Sequence, residues 1–542
     1  MDKEKTLETS NTEMLAILRA EYEQLQAEHE QLKEQLRKKE LAYAKLEEKM
    51  DHLLEQIRLA KHKQFGASSE KLCGDGMEQL SLLFNEAEVY AGEVKDEEPK
   101  GVLVSSHRRH KKHEYTLDNL PEDIPVEVVE HRLPESDLVC EVCGNILVEI
   151  GKDIRRRLKI YPARIVVLED WYYTYACQRC NTEGTETPVT KAPKGVNFLS
   201  GSFATPEAVA HLMTQKFVMG SPLYRQELEM KRQGISLSRQ TMSNWILRAA
   251  EEYLAPVYHA MHAELLKREV LHADETELQV LHEPGKTPQS KSYMWLYRTS
   301  GDTDRPIVLY EYQPGRGQIH PKTFLDGFKG YLHTDGYAGY HNLPDDITIV
   351  GCWAHARRKF DEVMKSLPKG KAKGSSAAQG LAYCNLLFEI EQGLMELSPD
   401  MRYTQRLEQA KPVLDAMLAW ANTRAAAPKS ALGKAFTYLK EQWPYLMNYL
   451  KDGRLELSNN RAERSIKPFV IDRKNFLFAN TPGGARGSAM IFTMIQTAIE
   501  NGLDPFRYLT WLFYTGSDID LKQAENIQNL LPWNAPTECK AK

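Results

Sequence analysis

Two short apolar runs, each closing on an aspartate, constrain this chain most. Val270-Leu-His-Ala-Asp-Glu-Thr276 and Gly330-Tyr-Leu-His-Thr-Asp-Gly336 share one pattern, and their acids, Asp274 and Asp335, stand 61 residues apart. β-Prone residues before each acid predict a strand that delivers the carboxylate to one edge of a sheet. Around them the period changes repeatedly. Strand-like stretches at 269–281, 292–297 and 306–310 are followed by a helix near 319–328 and the strand at 330–334. A helix near 337–342 and a strand at 347–352 complete the series. In that order the first and fourth strands are neighbours, which places Asp274 beside Asp335.

Three strands, a helix, a strand, a helix and a strand is the order of a ribonuclease-H-like α/β core. Two carboxylates side by side repel each other unless a cation lies between them. Hard oxygen ligands favour Mg2+ or Mn2+ over zinc, and two such ions roughly 3.5–4 Å apart can activate an attacking oxygen and stabilise a leaving one. A third carboxylate is available in Ser458-Asn-Asn-Arg-Ala-Glu-Arg464, where Asn459 or Asn460 can cap a helix that holds Glu463. Arg461 and Arg464 flank it and would face a phosphodiester. Glu362 is the alternative third acid. Any one of these acids alone reads as an ordinary solvated residue; their joint occurrence in this order points to metal.

Between the sheet and Glu463 lies a helical stretch, 354–455, interrupted at 368–374. It opens with Cys352-Trp-Ala-His-Ala-Arg-Arg-Lys-Phe360. His355, Arg357 and Arg358 are phosphate-binding candidates there, or else an ordinary basic helix start, while Cys352 reads as core. Beyond Glu463, Arg473, Lys474 and Arg486 add positive charge, and the glycines of 481–487 would let backbone approach a ligand, although a P-loop spacing is absent. An apolar helix at 488–501 and a terminal helix at 504–514 follow.

The N-terminal half has a different composition. Residues 13–60 carry a heptad whose d series is Leu18, Leu25, Leu32, Lys39, Leu46 and Leu53, and whose a series is Leu15, Tyr22, His29, Leu36, Tyr43, Met50 and Ile57. Eleven of the thirteen are aliphatic or aromatic, which fits a self-associating coiled coil better than a helix folded back on its own chain. A second helix at 76–92, an acidic linker and the basic run His107-Arg-Arg-His-Lys-Lys-His113 follow, the last a solvated tail or a phosphate-contacting arm. Cys140-Glu-Val-Cys143 and Cys177-Gln-Arg-Cys180 are two knuckles separated by 33 residues with strand-like stretches at 164–168 and 171–175. Two residues between thiolates suit adjacent corners of a zinc tetrahedron, so a zinc-ribbon-like module with structural Zn2+ is expected. Residues 221–233 and 238–246 form two helices around a Gly234 turn, a helix-turn-helix-like unit whose second helix offers Arg239, Gln240 and Asn244 to a DNA groove.

A chain of 542 residues exceeds one core. Its net charge of −5 gives no overall nucleic-acid signal, so local basic clusters must carry that argument. No apolar run approaches a membrane span, and the first residues have no signal core, so a cytoplasmic location is expected.

These motifs together resemble transposases of the insertion sequence 66 family. The resemblance rests on Phe65-Gly-Ala-Ser-Ser-Glu-Lys71, the paired knuckles, Pro222-Leu-Tyr-Arg-Gln226, His272-Ala-Asp-Glu-Thr276 and Thr334-Asp-Gly-Tyr337. Cys352-Trp-Ala-His-Ala-Arg-Arg358 and Asn459-Asn-Arg-Ala-Glu-Arg464 complete it, so that it spans nearly the full length. It implies a multidomain α+β protein. The expected divisions are a coiled-coil arm at 1–72, a linker at 73–114, a zinc-binding module at 115–192 and a helical DNA-binding unit at 193–264. A ribonuclease-H-like core would follow at 265–353 and 456–502, with a helical insertion at 354–455 and a tail at 503–542. It further implies an Asp-Asp-Glu enzyme that uses Asp274, Asp335 and Glu463 to hold magnesium or manganese. Such an enzyme cuts double-stranded DNA at transposon ends and joins the 3′-hydroxyl to a target, as a homo-oligomer with or without accessory proteins. A nuclease or resolvase without strand transfer, and an inactive zinc-containing DNA-binding protein, are the alternatives. Replacing Cys143 is expected to lower bound zinc, measured by metal analysis, together with folded yield, because thiolate sites supply about 10–16 kcal/mol in small zinc modules.

Overall fold

The computed structural model describes residues 29–40, 50, 165–171, 174–176, 189–191, 197–368 and 372–541. Cys140, Cys143, Cys177, Cys180, the basic run at 107–113, the helix at 76–92 and most of the heptad lie outside the described residues. Within the heptad, 29–40 is helical, and the seam residues Leu32, Leu36 and Met50 are exposed.

In the unit Glu98–Ser202, β1 (Thr174–Ala176) pairs antiparallel with β2 (Val189–Lys191). The strand expected at 164–168 is absent: residues 165–171 belong to no ladder, and Val167 and Trp171 are exposed. An apolar, β-branched run does not become a strand without a partner edge.

Phe203–Cys539 fall in a single compact unit. It begins with α1 (Pro206–Phe217), capped by Thr205, and α2 (Leu223–Arg232). A turn through Gly234, at φ 81°, leads to α3 (Arg239–Ala249), whose cap Ser238 accepts from the Thr241 N–H at 3.1 Å. Met242, Trp245, Ile246 and Ala249 form the buried face of α3. A π-helical turn carries the chain into α4 (Ala255–Leu265).

The sheet follows. β3 (Val270–Gln279), β4 (Lys291–Thr299) and β5 (Val308–Gln313) form an antiparallel meander. After a short α5 (Ile319–Phe324), β6 (Gly330–His333) pairs parallel with β3, and β7 (Ile347–Val350) pairs parallel with β6. The strand order is β5-β4-β3-β6-β7, so the first and fourth strands are neighbours as their sequence order requires. The helix expected near 337–342 is a short 3-10 turn, 338–340, because Gly336 at φ 93° has already turned the chain.

Helices α6 (Trp353–Ser366), α7 (Ser376–Gly393), α8 (Pro399–Gln405), α9 (Lys411–Thr423) and α10 (Ala431–Leu446) make up the insertion. Their core, including Phe360, Leu387, Trp420 and Phe436, runs on through Trp353 and Cys352 to Val350 of the sheet. The insertion is therefore continuous with the sheet's own packing.

The chain returns as α11 (Asn460–Phe476) and α12 (Pro482–Glu500). β5 is an edge strand whose outward N–H groups need partners. Thr493 accepts from the Tyr310 N–H at 2.9 Å, and Thr497 accepts from the Val308 N–H at 3.1 Å while donating to the Val308 carbonyl at 3.0 Å. An apolar helix thus closes the edge with two fully buried threonines. The glycines of 481–487 form the first turns of α12 instead of a ligand-facing loop. A Cβ at Gly487 would lie 2.6 Å from Leu247 Cδ2, so the close approach that this glycine permits is to α3. Arg298, 2% exposed, ties β4 to this layer through a two-pronged pair with Glu500 at 3.0 and 3.1 Å. α13 (Pro505–Asp518), capped by Asp504, packs against α1, and a short α14 (Ala524–Asn529) lies beyond it.

Glu311 on β5 has Gln313 at 2.7 Å on one oxygen and no hydrogen-bond partner on the other, and burial pushes its carboxyl up to about 7. A folded-state value above the ordinary glutamate range costs stability as pH rises between the two and costs nothing below both. Glu311→Gln is therefore expected to leave stability unchanged near pH 4 and to raise it above pH 7 by on the order of 2 kcal/mol. Urea denaturation at the two pH values checks this.

Candidate active site

The parallel β3–β6 register pairs His272 with His333. Continuing it by two residues brings Asp274, midway along β3, abreast of Asp335, just past the end of β6. Asp335 Oδ1 accepts from the Tyr337 N–H at 2.9 Å, closing a tight turn over Gly336. Tyr438 of α10 donates to the Asp335 carbonyl at 3.0 Å, and a Cβ on Gly336 would lie 2.9 Å from Gln442 Oε1. The insertion thus presses directly on the Asp335 turn.

Asp274 Oδ1 accepts from the N–H of Glu275 at 2.8 Å. Burial first, then the charges of Glu275, Asp335 and Glu463, push its carboxyl well above the usual range. Glu463 is among the charges felt at Asp274; Glu362 is not. Strand alternation sends Glu275 to the opposite face, where Arg316 Nε donates to it at 2.9 Å and the Tyr340 hydroxyl at 2.6 Å. Burial and the charge of Asp335 still push the Glu275 carboxyl up, but Tyr340 and Arg316 oppose that shift, whereas Asp274 has only a backbone N–H to oppose its own.

Glu463 lies in the first turn of α11, and Asn459 is the N-cap residue, but its side chain caps nothing. Its amide donates to the Ala273 carbonyl at 2.8 Å, leaving its oxygen to accept from His272 Nδ1 at 2.9 Å. Its backbone N–H donates to Cys352 Sγ at 3.2 Å, and its carbonyl accepts from the Glu463 N–H at 3.2 Å. One residue therefore joins the strand of Asp274, the start of α6 and the helix of Glu463. Beneath it the rings of His272 and His333 stack at 4.3 Å and 9°, both held neutral chiefly by burial.

His355 and Arg358, on α6, reach Glu463: His355 Nδ1 lies 3.7 Å from Oε1 and Arg358 lies 3.4 Å from Oε2. Cys352 Sγ, His355 and Glu463 have donor atoms within 4.8 Å of one another. The other candidate contact residues divide into those with partners inside the chain and those left exposed. Arg357 is buried and donates to Asn385 at 2.7 Å; Arg461 is held by Glu456 at 2.7 Å; Arg473 donates to Thr276 at 3.3 Å and to the Glu277 carbonyl. Lys474 is exposed, and Arg464 carries charge felt at Glu500 and His272. On α3, Arg239, Gln240 and Asn244 are exposed, with Gln240 donating to Asn244 at 3.1 Å.

Sequence reading missed Asn459 as a strut, the stacked histidine pair and Arg316. The histidine pair had a signal in advance, since each run carries a histidine two residues before its acid and the two strands are neighbours.

The site fits a divalent cation. Glu463 Oε1 is enclosed by protein with no hydrogen-bond partner, and burial with the charges of Glu275, Asp335 and Glu463 raises the carboxyl of Asp274. The fold and site thus define a mixed α/β protein with an acidic sheet edge able to bind metal. Residues 201–487 match the family described as "Transposase IS66 family", 137–181 match "zinc-finger binding domain of transposase IS66", and 52–129 match "Transposase C of IS166 homeodomain". The last overlaps the stretch read from sequence as a linker. Among curated proteins, uncharacterized protein y4qI of Sinorhizobium fredii (strain NBRC 101917 / NGR234) is 30% identical over 504 residues, covering 90% of this chain and 89% of its own. Uncharacterized protein y4hP of the same strain is 30% identical over 481 residues, 84% of each chain. The chain belongs to the IS66 family of transposases. Membership implies DNA binding, and the zinc-finger match supports structural zinc. Among the described residues, no helix is long and apolar enough to cross a membrane.

Asn459→Ala would leave His272 Nδ1 and the Ala273 carbonyl without their partner. Stability is expected to fall by about 1–3 kcal/mol for each group left unpaired, read from the urea midpoint; an unchanged midpoint would remove Asn459 from this role.

Proposed function

We propose that this protein is an Asp-Asp-Glu transposase that cuts DNA at insertion-sequence ends and joins the released 3′-hydroxyl to target DNA. The observation that carries the reading is the convergence of three acids from three elements: Asp335 and Glu463 both raise the carboxyl of Asp274. The strand order, with three antiparallel strands followed by two parallel ones, supports a ribonuclease-H-like core.

Asp274, Asp335 and Glu463 would hold Mg2+ or Mn2+, which supplies Lewis-acid stabilisation to the attacking and leaving oxygens. The rest is the work of the chain. In cleavage, a water oxygen attacks phosphorus, loses its proton to solvent, and the 3′-oxygen leaves as a hydroxyl. In joining, that hydroxyl attacks a target phosphodiester and displaces another 3′-oxygen, so the number of ester bonds is conserved. Arg358, the more exposed partner of Glu463, is the phosphate contact nearest the acids. Arg239, Gln240 and Asn244 present α3 to a groove. The heptad provides self-association, and the Cys140, Cys143, Cys177 and Cys180 set holds structural zinc.

The test uses paired assays with Mg2+, one on uncut ends and one on pre-cut ends. Joining of pre-cut ends is expected, and cutting alone would make the protein a nuclease. Asp335→Asn is expected to abolish both reactions, a loss of at least about 100-fold, while end binding in a gel-shift assay persists. Normal turnover in that variant would remove Asp335 from the site.

A further inference from the structure

We propose that Cys352, His355 and Glu463 form a binding site for one zinc-class cation, and that filling it withdraws Glu463 from the other two acids. Two atoms identify the site. His355 Nδ1 and Glu463 Oε1 are 3.7 Å apart, both are shut off from solvent, and neither has a hydrogen-bond partner. At that distance they are too far apart to bond each other. The same separation is close to the edge of a tetrahedron whose metal–ligand bonds are about 2.0–2.3 Å. Cys352 Sγ supplies the third corner, with all donor atoms within 4.8 Å of one another. A fourth corner is left for water.

The donor set separates this site from the one proposed for catalysis. Asp274, Asp335 and Glu463 offer only oxygen, which suits Mg2+; sulfur, imidazole nitrogen and one carboxylate suit Zn2+ or Co2+. Glu463 belongs to both sets. Its Oε1 faces His355 and its Oε2 faces Arg358, so a cation held with Cys352 and His355 fixes the carboxylate on their side.

Two costs accompany binding, and the surroundings address each. Burial pushes the Cys352 thiol up to about 12, but a coordinating cation removes that proton outright. The Asn459 N–H, at 3.2 Å from Sγ, is placed to stabilise the thiolate. Arg358 donates to His355 Nε2 at 3.2 Å, which puts the imidazole proton on Nδ1. Coordination through Nδ1 moves the proton to Nε2, and Arg358, with 43% of its side chain exposed, has solvent to turn into.

The binding half of this inference is independent of the transposase reading; the withdrawal of Glu463 from catalysis rests on it. The test titrates Co2+ into the full-length chain loaded with one equivalent of Zn2+, which the module with four thiolates takes ahead of a site with three protein donors. Zinc outranks cobalt at the four-cysteine module, so that site stays filled. A thiolate-to-cobalt band in the near ultraviolet, with tetrahedral visible bands, is expected at one added equivalent, and Cys352→Ser should remove it. His355→Gln, at a partly exposed position, and Glu463→Gln should each keep the band but weaken cobalt binding by about tenfold or more. No band in the wild-type chain, or a band that survives Cys352→Ser, would overturn the site. With Mg2+ in excess, added Zn2+ should inhibit cleavage, and His355→Gln should raise the zinc concentration required. Cobalt binding with zinc-insensitive cleavage would overturn the withdrawal of Glu463. Failure of the transposase reading has a different signature: no cleavage with or without zinc, beside an unchanged cobalt spectrum.

Discussion

The amide of Asn459 sets the geometry on which the acidic site depends. Helix α11 returns to the sheet only after the whole helical insertion, and a segment so distant in sequence has no local reason to stop beside Asp274. The Asn459 side chain supplies that reason. By donating to Ala273 and accepting from His272 on either side of the same strand position, it fixes the start of α11 against β3. Glu463 is four residues further on, one helical turn, and its own N–H closes on the Asn459 carbonyl. The helix begins where the strand holds it.

The insertion reinforces this from the other side. Arg406 is fully buried, pairs with Glu391, and donates to the carbonyls of Tyr449 at 3.1 Å, Asp452 at 3.0 Å and Leu455 at 2.7 Å. A guanidinium with five donors can hold three carbonyls of a single turn, which an ammonium on a flexible stem would hold less rigidly. That turn leads directly into Leu457 and Asn459. Tyr438 and Gln442, also from the insertion, pack on the Asp335 turn. The helical stretch that separates the second acid from the third also positions both of them.

Much of this was legible in the sequence for physical reasons. A short apolar run that closes on an acid marks β3 and β6 regardless of what surrounds them, and strand order then makes those two neighbours. Ser238 and Gly234 declare the α2–α3 turn through local backbone chemistry alone. The misreadings share an opposite character. Gly483, Gly484 and Gly487 looked like a ligand loop because glycine signals close approach without saying to what; for Gly487 the answer, Leu247, lies far away in sequence. Arg461 and Arg473 keep their place as proposed DNA contacts, but the partners that orient them, Glu456 and the β3 backbone, are set by tertiary packing. Asn459 looked like a cap because capping is the local use of asparagine, and the strand it serves instead lies across the whole core.

The adjacent carboxylates Asp274 and Glu275 show how a fold assigns different chemistry to two similar acids. Alternation along β3 sends them to opposite faces, and each face was filled differently. Arg316, stacked on the Tyr337 ring at 3.7 Å, and the Tyr340 hydroxyl compensate Glu275, so it is an internal strut. Asp274 has one backbone N–H and three acidic neighbours. Placing like charges together at partial burial is destabilising unless something positive joins them, and among the described residues no basic side chain is bonded to Asp274. The stability lost there is what a cation recovers on binding. In this reading the weak point of the fold and its metal affinity are one property, measured with and without the ion.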